Sequence, residues 1–275
     1  MKYFLEHNGK KYSDKDLIDA FYQLGIKRGD ILCVHTELMK FGKALLTKND
    51  FLKTLLECFF KVLGKEGTLL MPTFTYSFCK NEVYDKVHSK GKVGVLNEFF
   101  RTSGGGVRRT SDPIFSFAVK GAKADIFLKE NSSCFGKDSV YEILTREGGK
   151  FMLLGLNYGH ALTHYAEERN TSFCRYFKEF KGFVIDELGQ KREKRINYYV
   201  RDLEKAYVCS LDKINEIVRQ TRYYKSIKFA GDFLESYDAK EYVKAIGNAL
   251  KQDKFAIYEK LLFEKHLKVV YEIFT

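Results

Sequence analysis

Short apolar runs alternate along this chain with stretches of helical periodicity. Ser13 stands three residues before Asp16, an N-cap pattern, and Leu17, Ala20, Phe21 and Leu24 then recur at helical spacing until Gly25. Asp30-Ile31-Leu32-Cys33-Val34-His35 predicts a buried strand that runs into the polar loop His35-Thr36-Glu37. A second helix is predicted from Thr47 or Asn49, with Leu52, Leu55, Leu56, Phe59 and Val62 on its apolar face and Gly64 as its stop. Gly67-Thr68-Leu69-Leu70-Met71-Pro72 predicts another buried strand, with Pro72-Thr73-Phe74-Thr75-Tyr76 as its exit loop. Strand, loop and helix in this order point to an α/β sheet with parallel pairs.

Residues 93–101 read as a short helix ending in Ser103-Gly104-Gly105-Gly106-Val107-Arg108-Arg109-Thr110-Ser111-Asp112-Pro113. Three glycines, two arginines and two hydroxyls suit a backbone nest for phosphate, and they suit a surface loop equally well; no strict phosphate motif is matched. A strand is predicted over 115–119, a helix over 138–146 and a buried strand over 151–156. Beyond Phe180 a hairpin is predicted, with 183–185 and 196–200 flanking Glu187-Leu188-Gly189-Gln190, and then helices over 211–219, 239–250 and 254 to about 270. No proline follows Pro113 and no low-complexity linker interrupts the chain. The expectation is one domain over 1–275: a mixed, partly parallel central sheet flanked by helices, with a C-terminal helical portion.

Composition narrows the class. With 45% hydrophobic residues, among them 24 Phe and 18 Tyr, the chain is no disordered segment. No run approaches the roughly 18 unbroken apolar residues of a membrane helix, and the charged start Met1-Lys2-Tyr3-Phe4-Leu5-Glu6-His7 resembles no signal peptide, so a cytoplasmic protein is expected. The six cysteines are scattered with no Cys-x-x-Cys pair, as buried thiols of a reducing compartment are. Cys174, ten residues after His164, is the alternative nucleophile, although nothing near it in sequence would lower a thiol pKa. A net charge of +11 suits an anionic ligand such as a nucleotide cofactor, or an ordinary lysine-rich surface; no nucleic-acid-binding motif is present.

The chemistry concentrates in Gly155-Leu156-Asn157-Tyr158-Gly159-His160-Ala161-Leu162-Thr163-His164-Tyr165-Ala166-Glu167-Glu168, where an apolar strand gives way to a turn and a helix start. Catalytic groups in open α/β sheets gather beyond the carboxyl ends of strands. At helical spacing His164 shares a face with Glu167, Glu168 and His160. A carboxylate bonded to one imidazole nitrogen fixes the tautomer and leaves the other nitrogen as a general base. The same histidine would also serve as a plain packing or capping group. His160 and His164 stand four apart like a zincin pair, and a metal-dependent hydrolase would add Glu167 or Glu168 as a ligand; Ala161, however, occupies the place of the zincin glutamate. The Gly-x-Ser-x-Gly pattern of a serine hydrolase is missing.

Five pieces in order and spacing, Gly29-Asp30-Ile31-Leu32-Cys33-Val34-His35-Thr36-Glu37-Leu38, Gly67-Thr68-Leu69-Leu70-Met71-Pro72-Thr73-Phe74, Gly94-Val95-Leu96-Asn97-Glu98-Phe99, Gly106-Val107-Arg108-Arg109-Thr110-Ser111-Asp112-Pro113 and Leu162-Thr163-His164-Tyr165-Ala166-Glu167, carry a resemblance across residues 14–180. By these the chain resembles the aminoglycoside 3-N-acetyltransferase family. The resemblance implies an α/β fold distinct from the GNAT acetyltransferases, acetyl-CoA as donor, an amine of an amino sugar as acceptor, and His164 as catalytic base; with no dense third-ligand cluster near His160 and His164, no metal is expected. On that footing Glu167 orients His164 and the amine attacks the thioester directly. Backbone N–H groups of His35, Thr36, Glu37 and Leu38 are expected to receive the charge developing on the thioester oxygen. Arg108, Arg109 and Thr110 are expected on the phosphates and pantetheine of coenzyme A, and Thr73, Tyr76 and Glu168 on the acceptor. Residues 1–180 would form the acetyl-CoA and catalytic core and 181–275 the acceptor side.

Two positions depart from the family pattern: Asp112 stands where a His usually precedes the motif's Pro, and Ala161 where a Thr usually precedes the catalytic His by three. Aminoglycosides are polycations that favour acidic clefts, whereas this chain is basic. The expected acceptor is therefore a nucleotide-linked amino sugar of glycan biosynthesis, with aminoglycoside 3-N-acetylation, an antibiotic-resistance activity, as the alternative. Neither nucleic acid nor membrane is expected as a partner; the oligomeric state stays open, a homodimer included.

Overall fold

In the computed structural model, which describes residues 1–156 and 161–261, the apolar runs become the middle of a seven-stranded sheet. Its order is Lys225–Phe229, Asp232–Asp238, Lys150–Leu154, Ile31–Thr36, Thr68–Pro72, Phe117–Gly121 and Arg108–Arg109. The central three, Lys150–Leu154, Ile31–Thr36 and Thr68–Pro72, run parallel, and the pairs outside them are antiparallel, so the sheet is mixed.

The runs are apolar without interruption because both sheet faces are covered. Ile31, Cys33, Leu70, Phe151 and Leu153 pack into one core, while Leu32, Val34, Leu69, Met71, Met152 and Leu154 pack into the other. Helices Asp14–Gln23, Lys48–Leu63 and Val95–Thr102 cover the second face through Leu17, Phe21, Leu55, Phe59, Leu96 and Phe100. Helices Val140–Arg146, Leu162–Arg169 and Ala239–Gln252 cover the first through Tyr141, Leu162, Ala166, Tyr242 and Ile246. Local signals set the helix starts: Ser13 and Asp16 close a reciprocal capping box, and the Thr47 hydroxyl accepts from Asp50 N at 3.2 Å.

Three expectations change. Strands Lys225–Phe229 and Asp232–Asp238 enter the central sheet from within the portion expected to be helical. The hairpin is longer than expected, Arg175–Ile185 with Lys191–Arg201. The helix expected from residue 254 is absent as far as Leu261; a short strand, Tyr258–Lys260, pairs there with Tyr207–Cys209, and residues 262–275 lie outside the described ones. Among the described residues no helix is long and apolar enough to cross a membrane.

Parallel register sets His35 beside Leu153 and Thr36 beside Leu154, so neighbouring strands end level and their exit loops meet. Glu37 N donates to Leu154 O at 2.8 Å across that edge. Gly155 then turns the chain with φ +75°, and an added Cβ would lie 2.3 Å from the Glu37 carbonyl oxygen. Both the left-handed conformation and the close approach require glycine. Gly155→Ala is expected to lower Tm by roughly 5 °C or more in a thermal melt, since left-handed strain alone costs about 1–2 kcal/mol before the clash is counted.

Candidate active site

A cavity of about 530 Å³ opens beyond the carboxyl ends of the three parallel strands. His35, Thr36 and Glu37 come from the first exit loop, Pro72, Phe74 and Tyr76 from the second, and Leu156, Ala161, Thr163 and His164 from the third. Val93, Gly94 and Asn97 supply one side, and Cys209, Leu211 and Ile214 another. Among the described residues, Glu37 is the only acidic side chain in this wall, and no lysine or arginine lines it.

His164 sits in the first turn of helix Leu162–Arg169, with its side chain 27% exposed. Three residues on, the fully buried Glu167 meets His164 Nδ1 through Oε2 at 2.6 Å. The other carboxylate oxygen, Oε1, accepts from Arg175 Nε at 2.7 Å, from the Tyr258 hydroxyl and from Cys209 Sγ at 3.4 Å. Burial alone would raise the Glu167 carboxyl, but the Arg175 guanidinium and the imidazole outweigh it and hold the group well below the usual carboxylate range. A charged carboxylate only accepts hydrogen bonds, so in neutral His164 the proton resides on Nδ1 and Nε2 keeps its lone pair. Burial lowers the His164 pKa from 6.5, the Arg175 charge lowers it further, and the bond to Glu167 restores only part of the loss. At neutral pH the ring is therefore an oriented, uncharged base.

The expected acyl-oxygen donors fare unevenly. His35, Thr36 and Glu37 line the cavity and Leu38 does not. The Glu37 N–H is already committed to Leu154 O. The Thr36 hydroxyl donates to Asn97 Oδ1 at 3.4 Å, a long bond between two neutral groups of the wall. His35 is buried against Phe151, ring centroids 4.8 Å apart.

Arg108, Arg109 and Thr110 are not brought to this cavity. Exposed Arg108 pairs with Asp125 at 2.6 Å. Buried Arg109 donates inward, from Nε to Thr73 Oγ1 at 3.1 Å, from Nη2 to Thr73 O at 2.6 Å, and from Nη1 to the Ser89 carbonyl. Thr110 is buried too, its hydroxyl accepting from Phe117 N at 2.9 Å. Of the expected acceptor contacts, Tyr76 lines the cavity; Thr73 is taken up by Arg109 and Ser116, and Glu168 accepts from Ser133 Oγ at 2.9 Å outside the cavity. Buried Cys174 has its thiol pushed up to about 12 by burial, the opposite of an activated nucleophile, and it does not line the cavity. His160 lies outside the described residues, and among those described no group of three His, Cys, Asp or Glu side chains is placed to hold a metal ion.

The two departures from the family pattern have local explanations. Asp112 is buried and accepts from Ile114 N and Phe115 N at 2.8 Å each and from Asn131 Nδ2 at 3.1 Å, as a turn-forming residue does. Ala161 lines the cavity wall, and so does Thr163, with its hydroxyl 2.7 Å from Tyr242 OH.

Arg175, Tyr258, Cys209 and Asn97 escaped the sequence reading, because nothing local marks them. Removing Arg175 strands a buried negative charge, so Arg175→Leu is expected to cost about 3–5 kcal/mol in a denaturant titration. Arg109→Met removes the guanidinium that donates to the Ser89 carbonyl and one of the two donors to the Thr73 carbonyl, and is expected to cost about 1–3 kcal/mol by the same measurement.

The family model described as aminoglycoside 3-N-acetyltransferase matches residues 33–251 of this chain. Aminoglycoside N(3)-acetyltransferase III of Acinetobacter baumannii is 27% identical over 182 residues, covering 57% of this chain and 60% of that protein, so the chain spans less than two thirds of this relative. Among solved structures, sisomicin-bound AAC-VIa superposes with a TM-score of 0.73 at 20% identity, covering 88% of this chain and 98% of the other. AAC-IIIb in binary complex with CoASH gives 0.72 at 20% identity, with 88% and 97% covered. At these identities the structural matches establish the fold, whereas the family model spans most of the sequence. The chain belongs to the aminoglycoside 3-N-acetyltransferase family.

Proposed function

We propose that this protein is an acetyl-CoA-dependent N-acetyltransferase with His164 as its general base, and that its acceptor is an amine of an aminoglycoside. The observation that carries this reading is the His164–Glu167 pair at the edge of the 530 Å³ cavity in a chain of this family. Nε2 of the neutral imidazole takes a proton from the acceptor ammonium, and the freed amine attacks the thioester carbonyl carbon. A C–N bond forms, the C–S bond breaks, the surplus proton on the attacking nitrogen passes to the leaving thiolate to give free coenzyme A, and His164 returns its proton to solvent. Charge on the thioester oxygen is met in the wall by the Thr36 hydroxyl, which can exchange its 3.4 Å bond to Asn97 Oδ1 for it.

The expectation of a nucleotide-linked acceptor rested on net charge. That charge is not in the cavity: its described wall has Glu37 and no cation, which suits a cationic sugar better than a diphosphate. A relative named for aminoglycoside acetylation and a neighbour bound to sisomicin support the same choice. In this reading residues 1–180 hold donor and base, 181–275 complete the acceptor side, and a donor made in the cytosol places the protein there.

Thiol release from acetyl-CoA, measured with an aminoglycoside panel beside a panel of nucleotide-linked amino sugars, tests the reading. Release is expected with the aminoglycosides, and His164→Ala is expected to lose about a hundredfold or more in kcat. Release with the nucleotide panel alone would overturn the acceptor, and an undiminished His164→Ala rate would overturn the base. The pH profile follows from the lowered His164 pKa. Protonation removes the base, so kcat/KM for the acceptor should hold on descending through pH 6.5 and fall only below it.

A further inference from the structure

Tyr76 lines the catalytic cavity with its backbone in the left-handed region, φ +55°. Among the described residues that are not glycine, Asn8, Asn81, Asp138, Thr171 and Ala230 also have a positive φ, and Tyr76 is the one aromatic residue of the set. Asparagine and aspartate bear that conformation because their short polar side chains bond locally. A tyrosine has no such compensation and sits there under strain.

The surroundings hold it in place. Thr75 N and Tyr76 N both donate to Ile114 O, at 3.2 and 3.3 Å, and Ser77 N donates to Pro113 O at 3.1 Å. The Thr75 hydroxyl donates to the same Pro113 carbonyl at 2.9 Å. Those two carbonyls belong to the turn that Asp112 closes through Ile114 N and Phe115 N. Buried Asp112 therefore acts on the cavity at one remove: it shapes the turn, the turn clips the loop, and the loop keeps Tyr76 strained. Strain that the fold maintains at the wall of a cavity marks a side chain held for a task there.

The ring itself indicates the task. Phe74 and Phe115 meet it edge-to-face, with centroids 6.1 and 5.7 Å away and planes 73° and 82° apart, so neither lies flat on it. Burial pushes its hydroxyl pKa up, and the side chain stays an uncharged phenol. Glu37 is the sole carboxylate in the described wall, so a sugar with several ammonium groups cannot pair each of them with a carboxylate there. The negative face of an aromatic ring also attracts a cation.

We propose that Tyr76 is a specificity-determining residue of the acceptor site, its ring taking one face of the ammonium-bearing sugar ring by cation–π and C–H contact. The identity of the acceptor in this proposal rests on the transferase reading.

Steady-state kinetics and isothermal titration with kanamycin, on wild type and on Tyr76→Phe, Tyr76→Leu, Tyr76→Ala and Tyr76→Gly, test it. Tyr76→Leu should raise both KM and Kd for kanamycin about tenfold, whereas Tyr76→Phe, which keeps the ring, should stay within about threefold of wild type. The KM for acetyl-CoA should be unchanged in both. In thermal melts Tyr76→Gly should lie above Tyr76→Ala, the reverse of their order at an ordinary position, because alanine retains the left-handed penalty and glycine does not. A residue that only packs would shift the melt and leave the kanamycin constants alone; that outcome in Tyr76→Leu would overturn the proposal. So would a rise confined to acetyl-CoA, which would give Tyr76 to the donor, or a Tyr76→Phe as weak as Tyr76→Leu, which would give the contact to the hydroxyl. An alanine variant that melts at or above the glycine variant would overturn the strain. Wild type that binds kanamycin without releasing thiol would sink the transferase reading, and the Kd series would still decide the Tyr76 contact. A wild type that neither binds nor acetylates kanamycin would overturn both.

Discussion

Burying a carboxylate completely is costly unless its charge is matched, and Glu167 is matched from four directions. Helix Leu162–Arg169 presents it, the hairpin sends Arg175 to it, the short strand pair brings Cys209 and Tyr258, and His164 takes the remaining oxygen. Each partner enters from a different element, so the carboxylate fixes how these elements sit against one another. The same charge orients the imidazole. Structure and chemistry are coupled here through one ion: what ties the helix to the hairpin and the short strand pair also determines the tautomer of the base.

Two opposing fields act on that imidazole, and their magnitudes decide its state. A carboxylate at 2.6 Å would by itself favour the imidazolium. Burial and Arg175 work against it, and together they prevail. Burial acts most strongly, and the Arg175 charge supplied by the hairpin works in the same direction.

Much of this architecture was legible in the sequence, for physical reasons that also mark where legibility ends. Ile31–Thr36, Thr68–Pro72 and Lys150–Leu154 are buried on both faces and so read as unbroken apolar runs. Asp232–Asp238 pairs with Lys150–Leu154 and is largely buried, yet it carries Glu235, a buried carboxylate bonded by Arg219, Tyr224 and Tyr237, and its polar texture concealed a core strand. His164 and Glu167 could be paired because they are helical neighbours. Their partners Arg175 and Tyr258 could not, the second being 91 residues distant from Glu167. Glycines followed by arginines suggested a phosphate nest, but carbonyl oxygens satisfy a guanidinium as well as phosphate oxygens do, and composition cannot separate the two. Net charge misled in a similar way, because no lysine or arginine lines the described wall of the catalytic cavity.

The strand Asp232–Asp238 lies against Lys150–Leu154, with Leu234 opposite Leu154, so the central sheet is closed by a segment made late in synthesis. While the first two hundred residues emerge from the ribosome, the edge of Lys150–Leu154 has no neighbour on that side, and Glu167 has yet to meet Tyr258. The nascent chain must keep an apolar strand edge uncovered until Asp232–Asp238 has been made. A fragment ending before residue 232 would therefore leave an apolar edge of the central sheet unpaired, the kind of edge that invites aggregation.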